Sequence, residues 1–142
     1  MIVRISTLAI LACLAIPFAG PVRARPGGGL DALVDGSRAN LGKRTRLTGL
    51  RCADTGGSGG LVCKTEHRGR VVAVSAKRTG GRTSAAAARR LASECGGLAG
   101  FDKPGCTFVV EVTPTGIAKG SVDAGHGKRP LVTIEADSFD LF

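Results

Sequence analysis

Cys52, Cys63, Cys95 and Cys106 fall into two pairs, each with ten residues between its members. A chain built around two such pairs has to fold so that each pair can be cross-linked or buried, and few other features of the sequence are as restrictive. No Cys-x-x-Cys motif occurs, and His67 and His126 lie far from any ligand-like spacing, so neither a metal knuckle nor a redox dithiol is expected. Four cysteines allow three connectivities. Cys52 with Cys63 and Cys95 with Cys106 is the favoured one, because each bridge then closes a short loop and contributes about 3 kcal/mol in the chain-entropy model.

The fifth cysteine, Cys13, belongs to a different kind of segment. Met1–Arg4 carries one positive charge and Ile5–Ala19 is an apolar run, which together read as a signal peptide. Pro17, Pro21, Arg23 and Arg25 interrupt the run before the roughly 20 apolar residues that a membrane span needs. Val22 and Ala24 suit a cut after Ala24, whereas Ile10-Leu11-Ala12-Cys13 loosely matches a lipobox and makes lipidation at Cys13 the alternative. Cleavage leaves 118 residues with 18 Lys and Arg beside 11 Asp and Glu, a net charge of +7, and an even cysteine count. Four cysteines in an exported chain are read as disulfides. The expected location is therefore periplasmic or secreted, with no transmembrane segment after cleavage. The organisation is a signal peptide at 1–24, a flexible Gly-rich leader at 25–40 and a single domain at 41–142, a length that suits one core.

Within that domain, Leu41–Cys52 has no helical stripe and reads as a strand bent at Gly49. The glycine-rich Thr55–Gly60 loop returns the chain to a second strand, Leu61–Thr65, which would bring Cys52 opposite Cys63. Arg70–Ala76 is the clearest β-branched run and suits a central strand. Thr83 or Ser84 can cap a helix in which Ala85, Ala88, Ala92 and Cys95 share a face with Leu91 beside them, and Gly96-Gly97 ends it. Cys106–Val112 alternates strictly, with Phe108, Val110 and Val112 on one face. Ile117–Val122 can add a short strand, and Val132, Ile134 and Ala136 share a face of the last one. A short helical turn over Leu30–Val34 is also compatible with the pattern.

Three strands, a helix and two or more strands is the element order of an OB-fold. GKRTRLTGL near Leu41 resembles the first-strand pattern of bacterial OB domains, and LVTIEADSFDLF at the end of the chain resembles their last strand. The chain thus resembles the small exported OB-fold proteins of bacteria over about Leu41–Phe142. The resemblance implies a β-rich α+β fold: an OB-like, partly open five-stranded barrel, one helix between strands 3 and 4, and two disulfides. It carries over no functional residue. The alternative is an unrelated α+β domain with a meander sheet.

For function, charge is the informative quantity. Between Lys43 and Arg90 there are 12 basic residues against Asp54 and Glu66, while the rest of the cleaved chain is net −3. Lys43, Arg44, Arg46, Arg51, Lys64, Arg68, Arg70, Lys77, Arg78 and Arg82 are therefore the candidate polyanion-binding residues. Nucleic acid is disfavoured, because the cleaved chain has only four Phe and neither Trp nor Tyr for base stacking, and export removes the usual substrate. An acidic envelope polymer, lipid or protein fits the charge. Gly56-Gly57-Ser58-Gly59-Gly60 formally matches G-x-S-x-G, with Asp123 and His126 following in hydrolase order. A nucleophile elbow needs a buried strand turning into a helix, and here two strands flank the serine. The glycines also lack the lysine of a P-loop. The expectation is a small basic binding or envelope-associated protein with no catalytic residue, metal or cofactor. A polyanion or nucleic-acid module using the 43–90 region is the alternative.

Overall fold

The computed structural model describes residues 28–35, 40–57 and 60–142. The expected signal segment, its cut after Ala24 and the Cys13 alternative lie outside the described residues, as does Ser58. Strand β1 runs over Thr45–Asp54, β2 over Leu61–His67 and β3 over Arg70–Thr79, forming an antiparallel meander. Gly49 bends β1 as its sequence suggested. Its φ is +73°, and the register against strand β4 (Thr107–Val112) slips from Leu47↔Val110 to Leu50↔Phe108, which is one extra residue in β1. Such a bulge turns the strand and strengthens its twist. The β2–β3 hairpin turns through Arg68 and Gly69 with φ of 49° and 75°, the left-handed pair that matches the twist of two-residue hairpins.

Helix α2 (Ala85–Glu94) follows β3. Ser84 caps it by accepting the Ala87 N–H at 3.1 Å. The buried face is Ala87, Leu91 and then Cys95, not the expected set of Ala85, Ala88 and Ala92, which are exposed. Leu91 and the bridged Cys95 fix the face, and Ala87 is the alanine one turn before them.

Strands β5 (Gly116–Asp123) and β6 (Lys128–Leu141) complete the sheet, in the order β3-β2-β1-β4-β6-β5. β6 also pairs parallel with β3, from Val71↔Leu131 to Thr79↔Phe139. Together with the β1–β4 and β4–β6 ladders, this closes a five-stranded barrel with the helix between its third and fourth strands. The barrel is therefore OB-like, and it is closed where a partly open one was expected. β5 adds a sixth strand. β4 and β5 face β6 in one unbroken register, from Val110↔Leu141 through Gly116↔Glu135 to Asp123↔Lys128. They are two halves of one hairpin arm, parted at Thr113–Thr115, where Pro114 has no N–H to donate.

Inward residues of every barrel strand form the core, among them Leu47, Leu50, Val74, Phe108 and Ile134. On β6 the buried positions run Val132, Ile134, Ala136 and then step by three to Phe139 and Leu141, so the strand rotates its inward face near Ser138. Both disulfides form in the favoured pairing. Cys52 and Cys63 sit directly opposite each other in the β1–β2 ladder, with Cα atoms 3.9 Å apart. Cys95–Cys106, with a Cα separation of 5.7 Å, ties the end of α2 to the start of β4.

Inside the stretch expected to be a flexible leader, Gly28–Val34 forms a helix, α1, with Leu33 and Val34 buried in the core. Two buried aliphatic side chains, each worth about 1.5–3 kcal/mol, outweigh the poor helix propensity of the flanking glycines. Gly29 lies so close to β1 that a Cβ there would stand 2.7 Å from Thr45 Cγ2, so the glycine permits the approach. No described helix is long and apolar enough to cross a membrane.

Candidate binding groove

The 95–106 segment between α2 and β4 folds back over the outer side of the barrel instead of running away from it. Asp54 at the end of β1 accepts from Gly97 N–H at 2.8 Å and donates its own N–H to Cys95 O at 3.0 Å. The following 3-10 turn, Leu98–Asp102, lies on β1 so closely that a Cβ on Gly100 would sit 2.7 Å from Cys95 O and 3.1 Å from Ala53 Cβ. Arg51 donates from Nη1 to Phe101 O at 3.1 Å, and the Lys64 ammonium sits 3.8 Å from the centroid of the Phe101 ring. The turn thus forms a fixed wall, with the Cys95–Cys106 bridge at its base.

A groove of about 610 Å³ opens between this wall and the far end of the β5–β6 hairpin. Its floor is the outward face of the sheet. Arg51 lies opposite Lys64 across the β1–β2 ladder, and Lys64 lies opposite Ala73, while Glu66 faces Val71 and Val71 faces Leu131. These residues line the groove with Phe101, Asp102, Val122, Asp123 and Arg129. Arg129 donates to both carboxylate oxygens of Glu66, at 2.6 and 3.2 Å. Those hydrogen bonds, helped by the guanidinium charge, hold Glu66 below the usual carboxylate range and raise Arg129 above its ordinary value. Arg129 is thereby matched, whereas among the described residues Arg51 bonds the Phe101 carbonyl, Lys64 faces the Phe101 ring, and neither forms an ion pair. Their two charges border an apolar strip of Val71, Ala73 and Leu131, in a groove whose walls also carry Asp102 and Asp123. In OB-folds generally, the face of strands 2 and 3, flanked by the loop between strands 4 and 5, is where oligomeric ligands lie. The groove occupies that position.

Of the ten basic residues singled out in the sequence, Arg51 and Lys64 line this groove and the others are spread around the barrel. Arg44, Arg46 and Arg82 converge on Glu111, at 2.7, 3.1 and 3.6 Å, and Arg44 also reaches Asp140 at 3.1 Å. Arg68 pairs with Asp31 on α1 at 3.3 Å. Lys77 and Arg78 flank a cleft beside Gly56, Gly57 and Gly60, Arg70 lies near Lys119, and Lys43 is exposed just before β1. Arg44 and Arg46 stay together on one carboxylate, but the ten residues as a set do not form one patch, because they point outward from different strands and turns around the barrel wall. Phe101 and Arg129 were not among the candidates. Phe101 reaches the groove only because the disulfide-closed segment folds back onto β1, and Arg129 only through the pairing of β6 with β3. Among the described residues no three His, Cys, Asp or Glu side chains come together in a metal-like cluster. No protein-family model, curated protein or solved structure matches the chain. The class it defines is an OB-like, disulfide-stapled closed barrel with a walled groove, and the two disulfides point to an oxidising, non-cytoplasmic setting.

Proposed function

We propose that the chain is an exported, non-catalytic binding protein of the periplasm or extracellular space, and that it holds an acidic envelope polymer, lipid or protein in the groove beside Phe101. The adjacent pair Arg51 and Lys64, neither of them in an ion pair among the described residues, carries this reading. The wall supports it further, since a rigid turn held by a disulfide and by Gly100 keeps the two cations at a fixed spacing before any ligand arrives, and less ordering cost is left for binding. The dispersal of the other basic residues argues against a continuous polyanion or nucleic-acid track along the 43–90 region.

The test is elution from phosphate-bearing and carboxylate-bearing matrices across a salt series. Arg51→Gln/Lys64→Gln is compared with Lys77→Gln/Arg78→Gln, which removes the same charge elsewhere. Each lost anion contact lowers the slope of log affinity against log salt by about one. The groove variant is expected to elute earlier than its control and to lose about two in slope. Equal elution of the two variants overturns the groove reading and leaves only diffuse charge attraction.

A further inference from the structure

Barrel closure removes strand edges, since β1, β2, β3, β4 and β6 each find a neighbour on both sides. β5 is the exception. It pairs with β6 alone, and among the described residues no backbone group of Gly116–Asp123 bonds to any other element. Ala118, Lys119, Gly120 and Ser121 are exposed, and a Cβ built on Gly120 would meet nothing within 4 Å, so open space surrounds the middle of the strand. An unpaired edge of eight residues is a template for another strand.

We propose that the free edge of β5 pairs antiparallel with β5 of a second copy of this chain, forming a two-fold symmetric dimer in which the two sheets become one. The argument for a second copy is charge complementarity. A two-fold axis perpendicular to the sheet sets residues of the same face opposite each other. Lys119 and Asp123 share a face of β5, opposite Val132 and Lys128 on β6; Asp123 Oδ1 accepts the Gly125 N–H at 3.0 Å, and among the described residues neither side chain forms an ion pair. A lysine in the middle of an edge ordinarily blunts pairing. Centring the axis on Lys119 would oppose like charges, and centring it on Gly120 would set Lys119 against Ser121. With the axis on Ser121, Lys119 of each copy faces Asp123 of the other, twice over. Opposite charges directly across a ladder stabilise it and like charges oppose it, so this register is the one selected. On the other face, Gly120 meets Val122 and Ala118 meets Ala124, so no bulky side chain obstructs the approach.

Sedimentation equilibrium of the disulfide-bonded protein over a range of concentrations at low salt tests the idea. The expected result is a concentration-dependent dimer, weakened about tenfold by Lys119→Asp or by Asp123→Lys and restored by the double reversal. The double reversal also guards against a variant that merely folds poorly. A monomer at every concentration overturns the proposal. So does a dimer that the single reversals leave unchanged, or one that the double reversal fails to restore.

Discussion

At one end of the barrel, the ten-residue helix α2 is capped by Ser84 and tied through Cys95–Cys106 to the start of β4, with Asp54 hydrogen-bonded to the chain just beyond its last turn. At the other end, the seven-residue helix α1 inserts Leu33 and Val34 and is latched on the surface by Asp31, which meets His67 at 2.5 Å and Arg68 at 3.3 Å. Neither helix is long enough to persist alone. Both depend on the barrel, but only α2 is covalently held to it. Equal burial therefore does not mean equal security: a plug fixed by a cross-link opens with the whole fold, whereas one held by a few apolar side chains, part-buried hydrogen bonds and the exposed Arg68 pair has a separate, cheaper way out.

Matched truncations in the two plugs give the largest expected effect. Leu91 is 5% exposed and Leu33 0% exposed, so area alone predicts similar losses, of about 2–5 kcal/mol, for Leu91→Ala and Leu33→Ala. Undocking of α1 limits the second loss, because a helix already detached cannot destabilise the remaining barrel further. Denaturant unfolding followed by far-UV circular dichroism is expected to show the full cost for Leu91→Ala and a clearly smaller one for Leu33→Ala. Equal losses would mean that α1 is as integral to the cooperative unit as α2.

The second effect sharpens the comparison from the other side. Replacing both Cys95 and Cys106 by Ala is expected to cost about 3 kcal/mol and to make α2 behave like α1. In native-state hydrogen exchange, α2 amides that open only with global unfolding in the parent protein would acquire a local opening route. The Phe101 wall rests on the same bridge, so the groove should loosen in parallel, with Phe101 moving away from Lys64. If α2 protection stays at the global level in this variant, packing of Ala87 and Leu91 secures that end and the disulfide does not.

The same contrast explains what was legible in the residues and what was not. The cysteine spacing, the alternation Phe108-Val110-Val112 and the kink at Gly49 each stated a local rule that the fold obeys. The run Ala85-Ala86-Ala87-Ala88 offers no apolar contrast, so the inward face of α2 was settled by Leu91 and the position of Cys95, not by periodicity. On β6 the inward face rotates between Ala136 and Phe139, which strict alternation could not anticipate. α1 was obscured by glycines whose role is close approach to β1. In the groove, Arg51 and Lys64 could be named from charge, but their placement side by side follows from ladder register, and the part played by Phe101 from where a cross-linked segment lands. Those are tertiary facts with no local signature.

The smallest effect concerns the latch itself. The hydrogen bond from His67, with a further contribution from the Arg68 guanidinium, holds the Asp31 carboxyl below its ordinary value, and burial opposes this shift. A carboxyl whose folded pKa lies below its unfolded value of about 3.9 contributes stability that is fully present above the unfolded value and is lost as the pH falls through the folded one. The Asp31 contribution to the latch is thus fully present at neutral pH and is lost only in acid, below about pH 4. Glu66, next to His67 in sequence, is depressed in the same direction, but by Arg129 in the groove and not by any residue of α1, so its titration does not act on the Asp31 contact directly. NMR amide signals of α1 should therefore lose protection relative to those of α2 as the pH falls from 6 to 2, and Asp31→Asn should begin with weaker α1 protection that stays flat across that range. If Asp31→Asn retains the parent slope, the acid response of α1 comes from elsewhere, and its attachment rests on the apolar contacts of Leu30, Leu33 and Val34 and on the Asn40 hydrogen bond to Ala32 O.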